Sequence, residues 1–278
     1  MRKAIVLLIL ALSANAEQKN VKLLTGLTDL ELQRTMNLIR ASMGTHCDYC
    51  HVIKEKWDFA SDEKPAKRRA RKMIQMVMDI NRNSFDGQSI VSCYTCHRGS
   101  RKPLTLVELP QAAPPFPTPV HEEPQLLAAK DVVAKYAAAL GDASRLKLPR
   151  VLKGERTNSQ GTVAFELTDE PNPAFVLIAP SDIGEDARTV RKEKIGNADV
   201  WVVKNGNDRL SFDVNSGLLL RRVLLTPRAI GTIPQQTDYE DYRDAGGVKF
   251  PFLVRVSMVD PWTSATRKYT SVQLGAAQ

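Results

Sequence analysis

Four cysteines carry the chemistry of this chain. They fall as Cys47-Asp48-Tyr49-Cys50-His51 and Cys93-Tyr94-Thr95-Cys96-His97, two copies of C-x-x-C-H. That spacing is the attachment signature of c-type haem. Each thiol adds across a haem vinyl group to form a thioether, and the adjacent histidine supplies the proximal nitrogen to iron. Cys47, Cys50, Cys93 and Cys96 are therefore expected to hold two covalently bound haem c groups, with His51 and His97 as metal ligands. Arg98, directly after His97, is a candidate partner for a haem propionate. Other uses of cysteine fit less well. A thioredoxin-like site needs a single C-x-x-C in a βαβ setting. A zinc site does not need a histidine after each pair. Two disulfides remain arithmetically open.

The sixth iron ligand decides between electron transfer and an open, reactive iron. A thioether in that place favours the ferrous state. Thr28 and Glu31 form a capping box, and the helix they start runs to about Met43, where Gly44 stops it. Leu32, Met36, Ile39 and Met43 share one face of it. Met36 lies 11 residues before Cys47, enough for the chain to pass round a haem edge. Met43 lies only four before it and has little room to do so. A second helix opens at Pro65 and runs to about Asn81, with Ala66, Ala70, Met73, Val77 and Ile80 on one face. Met73 is the candidate there and Met76, about 60° round the helix, its rival. Met78 is turned away. The two units form a degenerate repeat: helix with Met, loop, C-x-x-C-H.

The stretch from about 28 to 104 resembles the photosynthetic reaction-centre cytochrome c subunit family. The residues that carry this are Met36 ahead of Gly44, Cys47-Asp48-Tyr49-Cys50-His51, and Asp62-Glu63-Lys64-Pro65. They continue with Ala70-Arg71-Lys72-Met73-Ile74-Gln75-Met76 and Val91-Ser92-Cys93-Tyr94-Thr95-Cys96-His97-Arg98-Gly99. The resemblance implies that a Met on the preceding helix is the sixth ligand, and it aligns the first Met of the A-R-x-M-x-x-M run with Met73. The departures matter too. The family's subunit carries four haem motifs where this chain has two, and a further haem-ligating His of its second-unit loop has no counterpart in Ser84–Ser89. The resemblance thus implies a stand-alone two-haem cytochrome and establishes no photosynthetic role.

These motifs sit in a chain of 278 residues with 43% hydrophobic and 25% charged residues, ordinary globular usage. Arg2 and Lys3, the apolar run Ala4–Leu12 and Ser13-Ala14-Asn15-Ala16 read as a signal peptide over 1–16, hence a periplasmic or extracellular protein. No transmembrane segment follows. The haem domain is expected over 17–108 and a Pro-rich linker over 109–124. Residues 125–278 read as an antiparallel β-rich domain with one N-terminal helix, Gln125–Leu140. The fold class is therefore a mainly α, haem-wrapping domain followed by an α+β domain. Strands are expected at Thr162–Leu167, Ala174–Ile178, Val200–Val203, Leu210–Val214, Leu218–Leu225, Tyr239–Tyr242, Val248–Val256 and Arg267–Leu274. The stretch 213–251 resembles lipoprotein-carrier-type half-barrels, which implies a concave apolar face. The opposing expectation is a sheet filled by its own helix, Leu126 to Leu140.

The formal charge of +8 says little about partners once four propionates are added. The run Lys67-Arg68-Arg69, Arg71 and Lys72 reads as a solvated helix face, or more sharply as a docking patch for an acidic redox partner. His46 reads as a loop residue at a haem edge, and His121 as an exposed linker residue. Three functions are in play. The first is an electron carrier with two His/Met irons, redox protein partners (membrane-bound ones included) and no catalytic residues. The second is a haem peroxidase or gas sensor with one open iron. The third makes the β domain the working part, binding lipid, a partner or another copy of itself. Nucleic acid fits none of them. The first is the best supported.

Overall fold

The computed structural model describes residues 18–106, 109–110 and 125–275. The expected signal peptide and most of the expected linker, His121 included, lie outside the described residues. The chain divides into two compact units, with the division between Arg101 and Lys102.

The first unit is helical. Helix α1, Asp29–Met43, begins at Thr28, whose side chain accepts from the Glu31 amide while the Glu31 carboxylate accepts from the Thr28 amide. This is the capping box read from sequence. Gly44 ends the helix with φ +57°, the left-handed conformation that glycine adopts without a Cβ penalty. A short hairpin follows, β1 (Val52–Ile53) paired antiparallel with β2 (Trp57–Asp58). Helix α2 spans Pro65–Ser84, a turn longer than the pattern suggests. Its buried residues are Ala66, Lys67, Ile74, Val77 and Asn81, so Met73 flanks the buried stripe instead of lying in it. Helix α3, Cys93–His97, carries the second motif and packs against α1.

The second unit is one nine-stranded antiparallel sheet with a helix on it. Helix α4, Ala129–Leu140, starts four residues later than expected and is stopped by Gly141. The strands are β3 (Arg150–Asn158), β4 (Gly161–Thr168), β5 (Arg188–Ile195), β6 (Ala198–Asn205) and β7 (Asp208–Asp213). They continue with β8 (Leu219–Arg228), β9 (Gly231–Asp244), β10 (Lys249–Met258) and β11 (Ala265–Leu274). Their order is β4-β3-β11-β10-β9-β8-β7-β6-β5. Along β10, Phe250, Phe252, Val254 and Val256 are buried at period two, which gives one face to the core. Helix α4 covers that core with Val132, Tyr136 and Leu140, and the Tyr136 ring lies 5.0 Å from that of Phe212. Of the two expectations for the sheet's apolar side, the structure shows the filled one.

Residues 174–178 are a correction. They form a 3-10 turn, Pro173–Phe175, and then an irregular strap. Side chains take the place of a ladder: the Thr237 hydroxyl donates to the Ala174 carbonyl (2.9 Å), Tyr239 to Val176 (2.9 Å) and Tyr136 to Ile178 (2.7 Å). Alternate carbonyls are thereby satisfied without a neighbouring strand. The Arg267 guanidinium completes the clamp. It lies 4.4 Å from the Phe175 ring and 5.0 Å from the Phe165 ring, and it pairs with Glu170.

Candidate haem-binding site

The first motif sits where α1 ends. Cys47–Tyr49 form one 3-10 turn, and the His51 amide donates to the Cys47 carbonyl at 2.9 Å, which brings His51 back over the turn. The His51 ring meets Phe59 edge-on at 5.1 Å, and Phe59 stacks on Trp57 at 5.4 Å. Burial, and then the Lys67 charge, lower the His51 pKa. Both favour the neutral imidazole, the form that ligates iron. Its Nδ1 is buried without a hydrogen-bond partner.

The second motif is a true helical turn. Ser92 caps it, accepting from the Thr95 amide while the Thr95 hydroxyl accepts from the Ser92 amide. His97 Nδ1 lies 2.9 Å from the Ser100 carbonyl. A carbonyl only accepts, so Nδ1 carries a proton, and Nε2 is the nitrogen left to face a metal. Such a second bond commonly orients a metal-binding histidine. Arg98 is exposed, with φ +47°, and its amide donates to Tyr94.

Two supports escaped the sequence reading. Asn81, 3% exposed near the end of α2, donates its amide to the Val91 carbonyl and accepts from the Val91 amide, both at 2.8 Å. It thus fixes the approach to Cys93. Lys67 is buried, against the reading of the basic run as a solvated face. Its ammonium donates to the carbonyls of Phe59 (2.7 Å), Ala60 (3.0 Å) and Ser61 (2.8 Å) and pairs with Asp62 at 3.3 Å. It therefore holds the loop that presents Phe59 to His51. Arg71 also pairs with Asp62, at 2.7 Å. Arg68, Arg69 and Lys72 are exposed as expected. So is His46.

All four thiols are unpaired; Cys47 and Cys96 are exposed and Cys50 and Cys93 half-buried. Burial raises the pKa of Cys50 and of Cys93. Among the described residues no three His, Cys, Asp or Glu side chains converge on a metal-sized site. Met36 is half-buried on α1. Met73 and Met76 are 50% and 45% exposed on α2. A shallow open groove runs along α2, lined by Lys72, Gln75, Met76, Asp79, Ile80, Asn83 and Ser84, and it includes Met76 but not Met73.

These residues fit a covalently held macrocycle. The unit buries few large apolar side chains, chiefly Leu24, Leu38, Val52, Ile74 and Val77. It leaves Ile53, Trp57, Phe59, Met73, Met76, Ile90 and Tyr94 exposed around the two motifs. A unit of this size with such a division lacks the core it needs, and a flat apolar group on each motif would supply it.

Residues 11–133 match the model of the photosynthetic reaction centre cytochrome C subunit family. The N-terminal region resembles that family. The photosynthetic reaction center cytochrome c subunit of Roseobacter denitrificans is 37% identical over 93 residues, 31% of this chain and 25% of that one. Cytochrome c-554 of Chloroflexus aurantiacus is 34% identical over 88 residues, 29% of this chain and 20% of that one. The subunit of Thermochromatium tepidum is 34% identical over 94 residues, 32% and 22%. The aligned part spans a quarter or less of these relatives' length. Among solved structures, a LolA superfamily protein from Nitrosomonas europaea covers 55% of this chain and 96% of its own at 9% identity and a TM-score of 0.36. A DUF1329 family protein from Desulfovibrio piger covers 54% and 94% at 8% identity and a TM-score of 0.35. Among the described residues no helix is long and apolar enough to cross a membrane.

Proposed function

We propose that this chain is an exported electron carrier whose N-terminal unit holds two covalently bound haem c groups. The observation that supports it is the pair of C-x-x-C-H motifs with four unpaired thiols, each followed by a histidine kept neutral or oriented for metal binding. Cys47 and Cys50 would hold one group, Cys93 and Cys96 the other. When bound, haem c supplies a one-electron ferric–ferrous couple. The chain's own residues do the rest. His97 is oriented by Ser100. His51 is kept neutral by burial and by Lys67. Met36 and Met73 are the sixth ligands of this reading, with Met76 the rival that lines the α2 groove. Arg98 is free to meet a propionate. Held by these residues, each group would be closed to a substrate by the chain's own side chains and would pass electrons without bond-making. The donors and acceptors are redox proteins, membrane-bound ones included, in the periplasm or outside the cell. The domain plan is a signal peptide over 1–16, a haem domain over 17–108, a linker over 109–124 and a β domain over 125–278.

The test is haem stoichiometry and optical spectra of protein matured in a c-type cytochrome host, alongside Met36→Ala, Met73→Ala and Met76→Ala. Expected are two covalent haems and a weak far-red band of Met-ligated ferric haem that falls in the first two variants. Carbon monoxide should bind the reduced protein only in those variants. Carbon monoxide binding to the unmutated protein would move the assignment to a haem enzyme or gas sensor. Loss of the band in Met76→Ala, with Met73→Ala unchanged, would exchange the two ligands.

A further inference from the structure

The two edges of the nine-stranded sheet are unlike. The edge strand β5 carries Arg188, Arg191, Lys192, Glu193 and Lys194 among its eight residues, and its register with β6 shifts between Thr189 and Arg191. Charges and a bulge are the usual means of stopping an edge from pairing with another chain. The opposite edge, β4, has neither. Its eight residues include one ionisable side chain, Glu166. Its register with β3 is unbroken from Asn158↔Gly161 to Val151↔Thr168. Val163 is 53% exposed, and on the same side of the strand Phe165 and Leu167 are only partly covered by the core.

We propose that β4 pairs with β4 of a second copy of this chain, antiparallel and centred on Phe165. The sequence Thr162-Val163-Ala164-Phe165-Glu166-Leu167-Thr168 is complementary to itself in that register. Val163 meets Leu167 of the second copy, Thr162 meets Thr168, Phe165 meets Phe165, and Glu166 meets Ala164. Apolar residues continue the apolar side of the sheet, and no like charges are opposed. The register also satisfies the backbone. Alternate residues of an edge strand point their amide and carbonyl outward. Centring on a residue brings the outward-pointing set of one copy opposite the same set of the other.

The experiment is sedimentation equilibrium of the mature, haem-loaded protein over a wide concentration range, with two variants at exposed positions. Wild type should show a concentration-dependent dimer. Val163→Lys places a charge in the apolar row and should weaken it by about tenfold or more. Ala164→Lys faces Glu166 twice by symmetry, in competition with the Lys153 that already pairs with Glu166 at 3.0 Å, and should tighten it about two- to tenfold, less so in high salt. Opposite signs from adjacent residues separate this pairing from a general loss of folding, and if Val163→Lys does not fold, the gain in Ala164→Lys still decides. Wild type that stays monomeric, whether its edge is bare or meant for another protein, overturns the proposal. So does a dimer indifferent to Ala164→Lys.

Discussion

The amide of Gly99 donates to the carbonyl of Ser42 at 2.8 Å. Gly99 follows the second C-x-x-C-H and Ser42 lies in the last turn of α1, just before the first, so the two motifs are joined backbone to backbone. Gly44 tightens the joint, because a Cβ there would strike the Gly99 carbonyl. Arg101 adds a contact over the Tyr49 ring at 5.3 Å.

Gly44→Ala should therefore destabilise the first unit by more than the about 1–2 kcal/mol that a left-handed backbone costs an L-residue. Gly99→Ala is the control. It has φ +83° but nothing within 4 Å of its Cβ, so it should cost the backbone penalty alone. Thermal unfolding should rank Gly44→Ala below Gly99→Ala by several degrees. Equal melting points would mean that the close approach is unimportant.

Replacing Asn81 with Leu leaves the Val91 amide and carbonyl without their partner. The expected loss is about 2 kcal/mol in a denaturant titration. Haem attachment at Cys93 and Cys96 should fall while attachment at Cys47 and Cys50 persists, which peptide mass spectrometry can read.

The Lys67–Asp62–Arg71 cluster predicts acid sensitivity. Hydrogen bonds from Arg71, and then from Asn20, hold the Asp62 carboxyl well below its ordinary value of 3.8. A carboxylate with a depressed folded pKa contributes stability above its unfolded pKa and loses it as pH falls through the folded one. Wild type should therefore lose stability steadily as pH drops below about 4. Asp62→Asn should flatten that part of the curve. An unchanged slope would place the acid sensitivity elsewhere. Lys67→Met should cost about 2–3 kcal/mol at neutral pH, since three carbonyls lose a charged donor.

Tyr136→Phe should cost about 1 kcal/mol, the bond to Ile178. Tyr136→Ala should cost about 3–5 kcal/mol and open a cavity beneath α4. An apolar fluorophore should then bind the Ala variant and not the wild type. Binding to wild type would revive a carrier role for the β unit.

What could be read from the sequence was set by local signals. Thr28, Glu31 and Gly44 fix α1 because capping is a short-range matter, and Pro65 does the same for the start of α2. Strands β3 and β5 escaped because their charges mask the alternation; β5 reads Arg-Thr-Val-Arg-Lys-Glu-Lys-Ile. The Gly196-Asn197 and Gly206-Asn207 turns that close β5–β6 and β6–β7 were the available signals. Residues 174–178 have strand composition, yet the carbonyls of Ala174, Val176 and Ile178 are taken by side chains 42 to 63 positions away in sequence, from Thr237, Tyr239 and Tyr136, which no window could show. Lys67 looked solvated because its neighbours are. Its burial depends on three carbonyls that a folded loop brings together. The assignment of the four cysteines, His51 and His97 rests on their spacing, a signal that does not depend on the fold around it. Met73 and Met76 were not separable, since both flank the buried stripe of one helix.

The helix that fills the β unit has a thermodynamic consequence. A protein that carries a cargo has loaded and empty states, and its melting point rises with the concentration of whatever it carries. Here Tyr136 and Leu140 already occupy the interior, so folding and filling are a single event. The stability that Tyr136 and Leu140 contribute is then written into the chain itself and owes nothing to a bound molecule.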